Sequence, residues 1–284
     1  MLAVEEQTEY RPDKKEWKAK LSLGFSEKNN KTVLSHREHY GPLVVQRPFY
    51  PEGNVCHIYL IHPPGGVVGG DKLNIDVKLE ESTHVLITTP SAGKFYRSGF
   101  IKGSQIQKIK VERDSLLEWF PQETIFFNGC LSTLETDIYL SGDAKFCGWE
   151  INCLGRPAAA EKYQQGNISQ RLRIYRDNKP LFLERNEIEG SGELLNSPCG
   201  FNEHSVFGTM LATDMDKLHC VELQDEWHER EEKNISITLI RDLLVVRYLG
   251  DSAEQAKKYF SQIWSVIRMK QKNIKTCAPR IWST

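Results

Sequence analysis

"KLNIDVKLEESTHVLITT", residues 72–89, decides the fold class. Leu73, Ile75, Val77 and Leu79 alternate with polar residues, the period of a strand with one buried face. Glu80 to Thr83 interrupt the run, and Val85 and Ile87 resume it. The same pattern recurs outward in both directions. "RLRIYRDNKPLFLER" (171–185) sets Leu172 and Ile174 among charges, turns at Asp177-Asn178-Lys179 and returns through Leu181 and Leu183, a hairpin. "NISITLIRDLLVVRYLG" (234–250) gives Ile235, Ile237 and Leu239, then a second strand rich in Leu and Val. Strand signals run from about residue 15 to about residue 250 with no long helical pattern between them, so a mainly β fold is expected and a parallel α/β fold is disfavoured.

One helix is expected near residues 251–270. Asp251 and Ser252 are each followed three residues on by Glu254 and Gln255, a capping-box arrangement. Ala256, Phe260, Ile263, Trp264 and Ile267 then form one apolar face. That face has two possible uses, packing on the protein's own sheet or binding a partner. "EHSVFGTMLAT" (203–213) reads as a weaker helix, and the charge-dense stretch 214–233 as a solvated loop.

Lys and Arg total 37 against 38 Asp and Glu, so bulk electrostatics favours neither nucleic acid nor a membrane surface. No apolar run is long enough to span a bilayer, and the start turns acidic at Glu5, which leaves no signal-peptide core; a cytoplasmic protein is expected. Residues 1–19 are expected to lack order. The seven cysteines are scattered, odd in number and without a Cys-x-x-Cys pair, which fits reduced thiols.

"HPPGGVVGGDKL" (62–73) has the glycine content of a phosphate loop but not its chemistry. Asp71 intrudes before Lys72, and Leu73 stands where a hydroxyl would bind magnesium. A nucleotide-binding protein using the 65–70 glycine loop is therefore disfavoured against a tight turn between strands. Ser91-x-x-Lys94 matches the nucleophile pair of a serine hydrolase, but the companion S-D-N and K-T-G elements are missing. His57 and His62, five apart on a strand, face opposite ways, and no tight metal set is legible. Glu118, Glu123, Glu150 and Glu161 lie in apolar or glycine-rich surroundings. They are either functional buried acids or acids satisfied by arginines such as Arg97 and Arg156.

Longer blocks then stand in order: "GPLVVQRPFYPEGNVCHIYLIHPPGGVVGGDKL" (41–73), "LITTPSAGKFYRS" (86–98), "LEWFPQETIFFNG" (117–129), "FCGWEINCLGRPAAAEKYQQG" (146–166), "LLVVRYLG" (243–250) and "APRIW" (278–282). Together they resemble the urease accessory protein family UreD, also called UreH, from about residue 20 to the end. The resemblance implies one UreD-like domain over residues 1–284, an extended superhelical, β-helix-like stack of strands with C-terminal helices. It implies a maturation factor rather than an enzyme, one that binds UreF directly and the GTPase UreG through it. The assembly docks on apo-urease and promotes nickel insertion. The protein itself holds no tightly bound cofactor, only nickel in transit. A polar interior passage in the family points to Asp71, Thr88, Thr89, Glu150 and Glu161. The C-terminal helix, with Phe260, Ile263, Trp264 and Ile267, points to the UreF interface. Two departures bear on the passage: Asn128 stands where relatives often carry Asp, and Ala160 where Gly is usual.

Overall fold

A computed structural model describes residues 17–283. The expectation about the N-terminus lies outside the described residues for 1–16, while Lys18 and Ala19 already belong to the first strand. The chain runs β1 (Lys18–Lys28), β2 (Lys31–Tyr40), β3 (Val44–Val45), β4 (Cys56–Ile61), β5 (Lys72–Leu79) and β6 (His84–Thr88). It continues through β7 (Gly93–Phe95), β8 (Gly103–Val111), β9 (Leu116–Phe120), β10 (Thr124–Phe126), β11 (Leu131–Leu140) and β12 (Lys145–Arg156). The remainder is β13 (Glu161–Lys162), β14 (Asn167–Arg176), β15 (Lys179–Glu189), β16 (Val206–Ala212), α1 (Lys217–Glu229), β17 (Ile235–Ile240), β18 (Leu243–Gly250) and α2 (Ala253–Lys272).

These strands wind into a β-solenoid of about four turns. One sheet has the order β15-β14-β11-β8-β5-β1-β2, and the other the order β17-β18-β16-β12-β9-β6-β4-β3. Each turn lays one strand in each sheet, so β1, β5, β8, β11 and β14 stack in parallel, as do β4, β6, β9 and β12. The alternation read in the sequence explains the stacking. Leu23, Val77, Ile109, Ile138 and Ile174 fall in one register and form an interior ladder. Phe25, Leu79, Val111 and Leu140 form the next. One-sided burial fixes this register, because a slip of one residue would turn every apolar side chain to solvent.

The hairpin at 171–185 forms as β14 and β15, with a turn of only Asp177 and Asn178, both at positive φ, while Lys179 already belongs to the returning strand. Two other expectations are corrected. Residues 203–213 hold strand β16 rather than a helix: Val206 to Ala212 are buried on both faces, between a solenoid interior and a helix layer. Residues 214–233 hold α1 rather than a loop. Asp216 caps it by accepting from His219 N at 3.0 Å, and Cys220, Leu223 and Trp227, at helical spacing, suffice to seat it.

α2 forms as expected, with Ser252 accepting from Gln255 N at 3.1 Å. It covers the outer face of the second sheet. Phe260, Ile263, Trp264 and Ile267 are at most 1% exposed and pack into an aromatic layer with Phe120, Trp149 and Trp282. The apolar face is therefore consumed by the protein's own sheet, and these four side chains present no surface to a partner. The outward side of α2 carries Val266 and Met269 instead. Among the described residues no helix is long and apolar enough to cross a membrane.

Candidate functional site

Inside the solenoid, one level along from the apolar ladders, the inward positions turn polar. Gln107 on β8 and Thr136 on β11 share a rung, and Glu150 on β12 faces them from the opposite sheet. Gln107 Nε2 donates to Thr136 Oγ1 at 3.3 Å, and that hydroxyl donates to Glu150 Oε1 at 2.5 Å. Gln170 Nε2, on β14, donates to Glu150 Oε2 at 2.7 Å. The line continues outward: Asn186 Nδ2 donates to Gln170 Oε1 at 3.1 Å and to Glu184 Oε1 at 3.3 Å. Glu184 Oε1 also accepts from Thr209 Oγ1 at 3.3 Å, and its Oε2 lies 2.6 Å from Arg247 Nη1. A continuous hydrogen-bonded seam thus crosses the solenoid from Gln107 to Arg247.

At its inner end the seam meets a cavity of about 120 Å³ lined by His62, Thr89, Gln105, Gln107, Gln122 and Glu150, among others. Burial pushes the Glu150 carboxyl up to about 7; hydrogen bonds from Thr136 and Gln170 oppose the shift, and the charge of Glu184 adds to it. Burial also pushes the His62 imidazole down, with Asp71 opposing. Carboxylate, amide and hydroxyl oxygens of this kind are exchangeable ligands for a hard or borderline cation. Among the described residues, no three His, Cys, Asp or Glu side chains gather at one metal-sized position.

The model of the family "UreD urease accessory protein" matches residues 18–283. The chain belongs to the UreD family. A urease accessory protein UreD from an Azoarcus species is 43% identical over 274 residues, covering 94% of each chain. One from Alcanivorax borkumensis is 42% identical over 95% of this chain and 93% of its own. One from Dechloromonas aromatica is 38% identical over 94% and 95%.

In this UreD chain the five residues assigned to an interior passage do not gather in one place. Glu150 and Thr89 line the same cavity. Thr88 lies on the outer face of its sheet: its hydroxyl donates to Phe120 O at 2.5 Å and accepts from Trp282 Nε1 at 3.0 Å. Strand alternation dictates this, since Val85 and Ile87 point inward. Asp71 is buried but turned back on its own loop, accepting from Val68 N at 3.0 Å. It borders a separate depression with Trp17, Gly66 and Tyr96.

Glu161 is held by Arg156, whose Nε donates at 2.8 Å, and by Asn128 N at 3.0 Å. The Arg156 guanidinium and then that backbone donor keep its carboxyl below the usual range. The alternative of an acid satisfied by arginine applies to Glu161, as does its partner Arg156.

The glycines of the 62–73 loop serve backbone geometry. Gly65 and Gly70 take φ of +78° and +95°. A Cβ at Gly66 would meet the Tyr96 ring at 2.4 Å. The loop leads into strand β5, so no helix N-terminus is available for a phosphate. Ser91 and Lys94 both line the cavity but make no hydrogen bond to each other, which removes the hydrolase geometry.

Sequence reasoning missed Thr136, Gln170, Glu184, Asn186, Thr209 and Arg247. For Thr136 and Gln170 a signal was present: each is a polar residue at an inward position of an alternating strand.

Proposed function

We propose that this protein is a non-enzymatic urease-maturation scaffold working as one UreD domain in the cytoplasm. It binds UreF, and through it the GTPase UreG, and with them assembles on apo-urease to promote nickel insertion. Nickel is cargo here, not a resident cofactor, and GTP belongs to UreG. Neither nucleic acid nor a membrane takes part. The cargo travels along the seam between Gln107 and Glu184.

The observation that carries this reading is the seam itself. A solenoid core otherwise built of Leu, Ile, Val and Phe keeps a row of buried Gln, Thr and Glu, and burying polar groups is costly unless they are fully bonded. Relatives named urease accessory protein UreD supply the biological context. Nickel binds N, O and S ligands strongly, so transit demands weak oxygen donors rather than a closed thiolate site.

The test is co-expression of urease and its accessory proteins with Glu150→Gln or wild type. The expected result is lowered urease nickel content and activity, with unchanged retention of UreF on the variant. Full nickel loading with the variant would sink the passage, and full activation without this chain would sink the scaffold.

A further inference from the structure

The two acids of the seam are neutralised by different means. Among the described residues Glu150 has no cationic side chain beside it, and burial holds its carboxyl up at about 7. Glu184 has Arg247. The two stand on opposite sheets, β15 and β18, where the winding ends. The Glu184 side chain is 9% exposed and that of Arg247 51% exposed. The carboxylate is fixed from inside by Asn186 Nδ2 and Thr209 Oγ1, both at 3.3 Å. Among the described residues the guanidinium is held by Glu184 and by Thr209 Oγ1, 3.3 Å away.

This asymmetry decides which partner can move. A half-exposed arginine on a long stem leaves an ion pair at small cost, because water takes over its donors. Glu184 cannot follow without breaking the seam. The Arg ladder on the outer face of the first sheet is different: Arg173 is fixed by both Asp137 and Glu135 and lies away from the interior.

We propose that Arg247 is a guanidinium plug: at rest it occupies Glu184, and a divalent cation reaching the end of the seam takes Glu184 by displacing it. The proposal rests on the passage reading above and assigns it a regulated end. The singly charged guanidinium balances the charge at the end of the seam. A doubly charged ion outbids it for the carboxylate once it arrives, and the released arginine swings to solvent. Arg247 therefore sets occupancy without being a ligand.

Equilibrium dialysis of the full-length protein with Ni²⁺ tests this. Arg247→Gln is expected to bind Ni²⁺ about tenfold more tightly than wild type, the relief of one competing charge. Arg247→Lys, which keeps the charge, is expected to stay near wild type. In an Glu184→Gln background, Arg247→Gln is expected to give no gain. Circular dichroism and thermal unfolding check that each variant is folded, which the exposure of Arg247 favours. Wild-type affinity in Arg247→Gln, or a gain that persists without Glu184, overturns the plug. Failure of the passage itself reads out separately, as normal nickel loading of urease with Glu150→Gln.

Discussion

Arg268 on α2 and Glu52, in the turn before β4, are joined by two hydrogen bonds of 2.7 Å, with the arginine side chain wholly buried. Arg268 Nε also lies 3.1 Å from Glu118 on β9. His57 lies 2.6 Å from Glu52, and His84 lies 2.8 Å from Glu118. Trp264 Nε1 donates to Glu118 at 2.5 Å. One guanidinium thus clasps the C-terminal helix both to the turn before β4 and to strand β9. Arg268→Met would leave the buried Glu118 carboxylate and the part-buried Glu52 carboxylate without their shared cation. It is expected to lower stability in urea unfolding by roughly 3–5 kcal/mol, the usual cost of breaking a buried ion pair. Arg230→Ala, which breaks the exposed pair with Glu226, is expected to change stability by less than about 1 kcal/mol. Equal effects in the two variants would rule out the clasp.

Glu150 and Glu52 give opposite pH dependence. Burial holds Glu150 at about 7 against an ordinary 4.5, so the folded state binds its proton more tightly than the unfolded state does. Its contribution is complete below pH 4.5 and is lost as the pH rises to 7. Burial would raise Glu52 as well, but hydrogen bonds from His57 and Arg268 outweigh it and hold the acid at about 2. That contribution is present above pH 4.5 and is lost as the pH falls towards 2. Glu150→Gln is therefore expected to gain on wild type between pH 4.5 and 7, by an amount of order 3 kcal/mol across the window. Denaturant titrations of both proteins at pH 5 and pH 8 measure the difference. A constant gap between the two proteins would refute an elevated Glu150.

The solenoid was legible from residues such as Leu73, Ile75, Val77 and Leu79 because burial on one side leaves a period of two. α1 and β16 were misread for related reasons. β16 is buried on both faces, so its alternation vanishes and only an apolar run remains. α1 buries just Cys220, Leu223 and Trp227 beneath a charged outer surface, so its composition resembles a loop. The site was half legible. Glu150 stood out as an acid among apolar neighbours. Glu184 and Arg247 did not, because strand pairing between residues far apart in sequence creates their contact, and no local pattern encodes it.

Ala160 and Asn128 both have local structural roles. Ala160 adopts φ of +55°, the left-handed region that glycine takes without the strain of a Cβ. Ala160→Gly is expected to raise the melting temperature, with a gain of about 0.5–1 kcal/mol once the entropy of glycine is deducted. Asn128 Oδ1 accepts from the backbone N–H groups of both Gln164 and Gln165 at 2.8 Å. An Asp carboxylate can accept the same two donors. Asn128→Asp is thus expected to keep wild-type stability, and Asn128→Leu to lose about 1–3 kcal/mol by stranding those donors. Thermal melts of the three variants decide it; a stable Asn128→Leu would contradict the role.

Asp71 separates loop geometry from charge. Its carboxylate accepts from Val68 N, and its own N–H donates to Val68 O at 3.1 Å, so it closes the glycine loop on itself. Ser104 N donates to Asp71 O at 2.8 Å, which ties the closed loop to the next turn of the solenoid. An amide oxygen can replace the carboxylate in the first bond, but it brings no charge. If Asp71 acts through the loop, Asp71→Asn is expected to keep both stability and urease activation near wild type. Asp71→Leu, which strands the Val68 donor, is expected to lose about 1–3 kcal/mol and to lose activation with it. Parallel urea titrations and urease assays on the two variants separate the roles. A folded Asp71→Asn that fails to support activation would show that the charge itself is used, and would return Asp71 to the route of the cation.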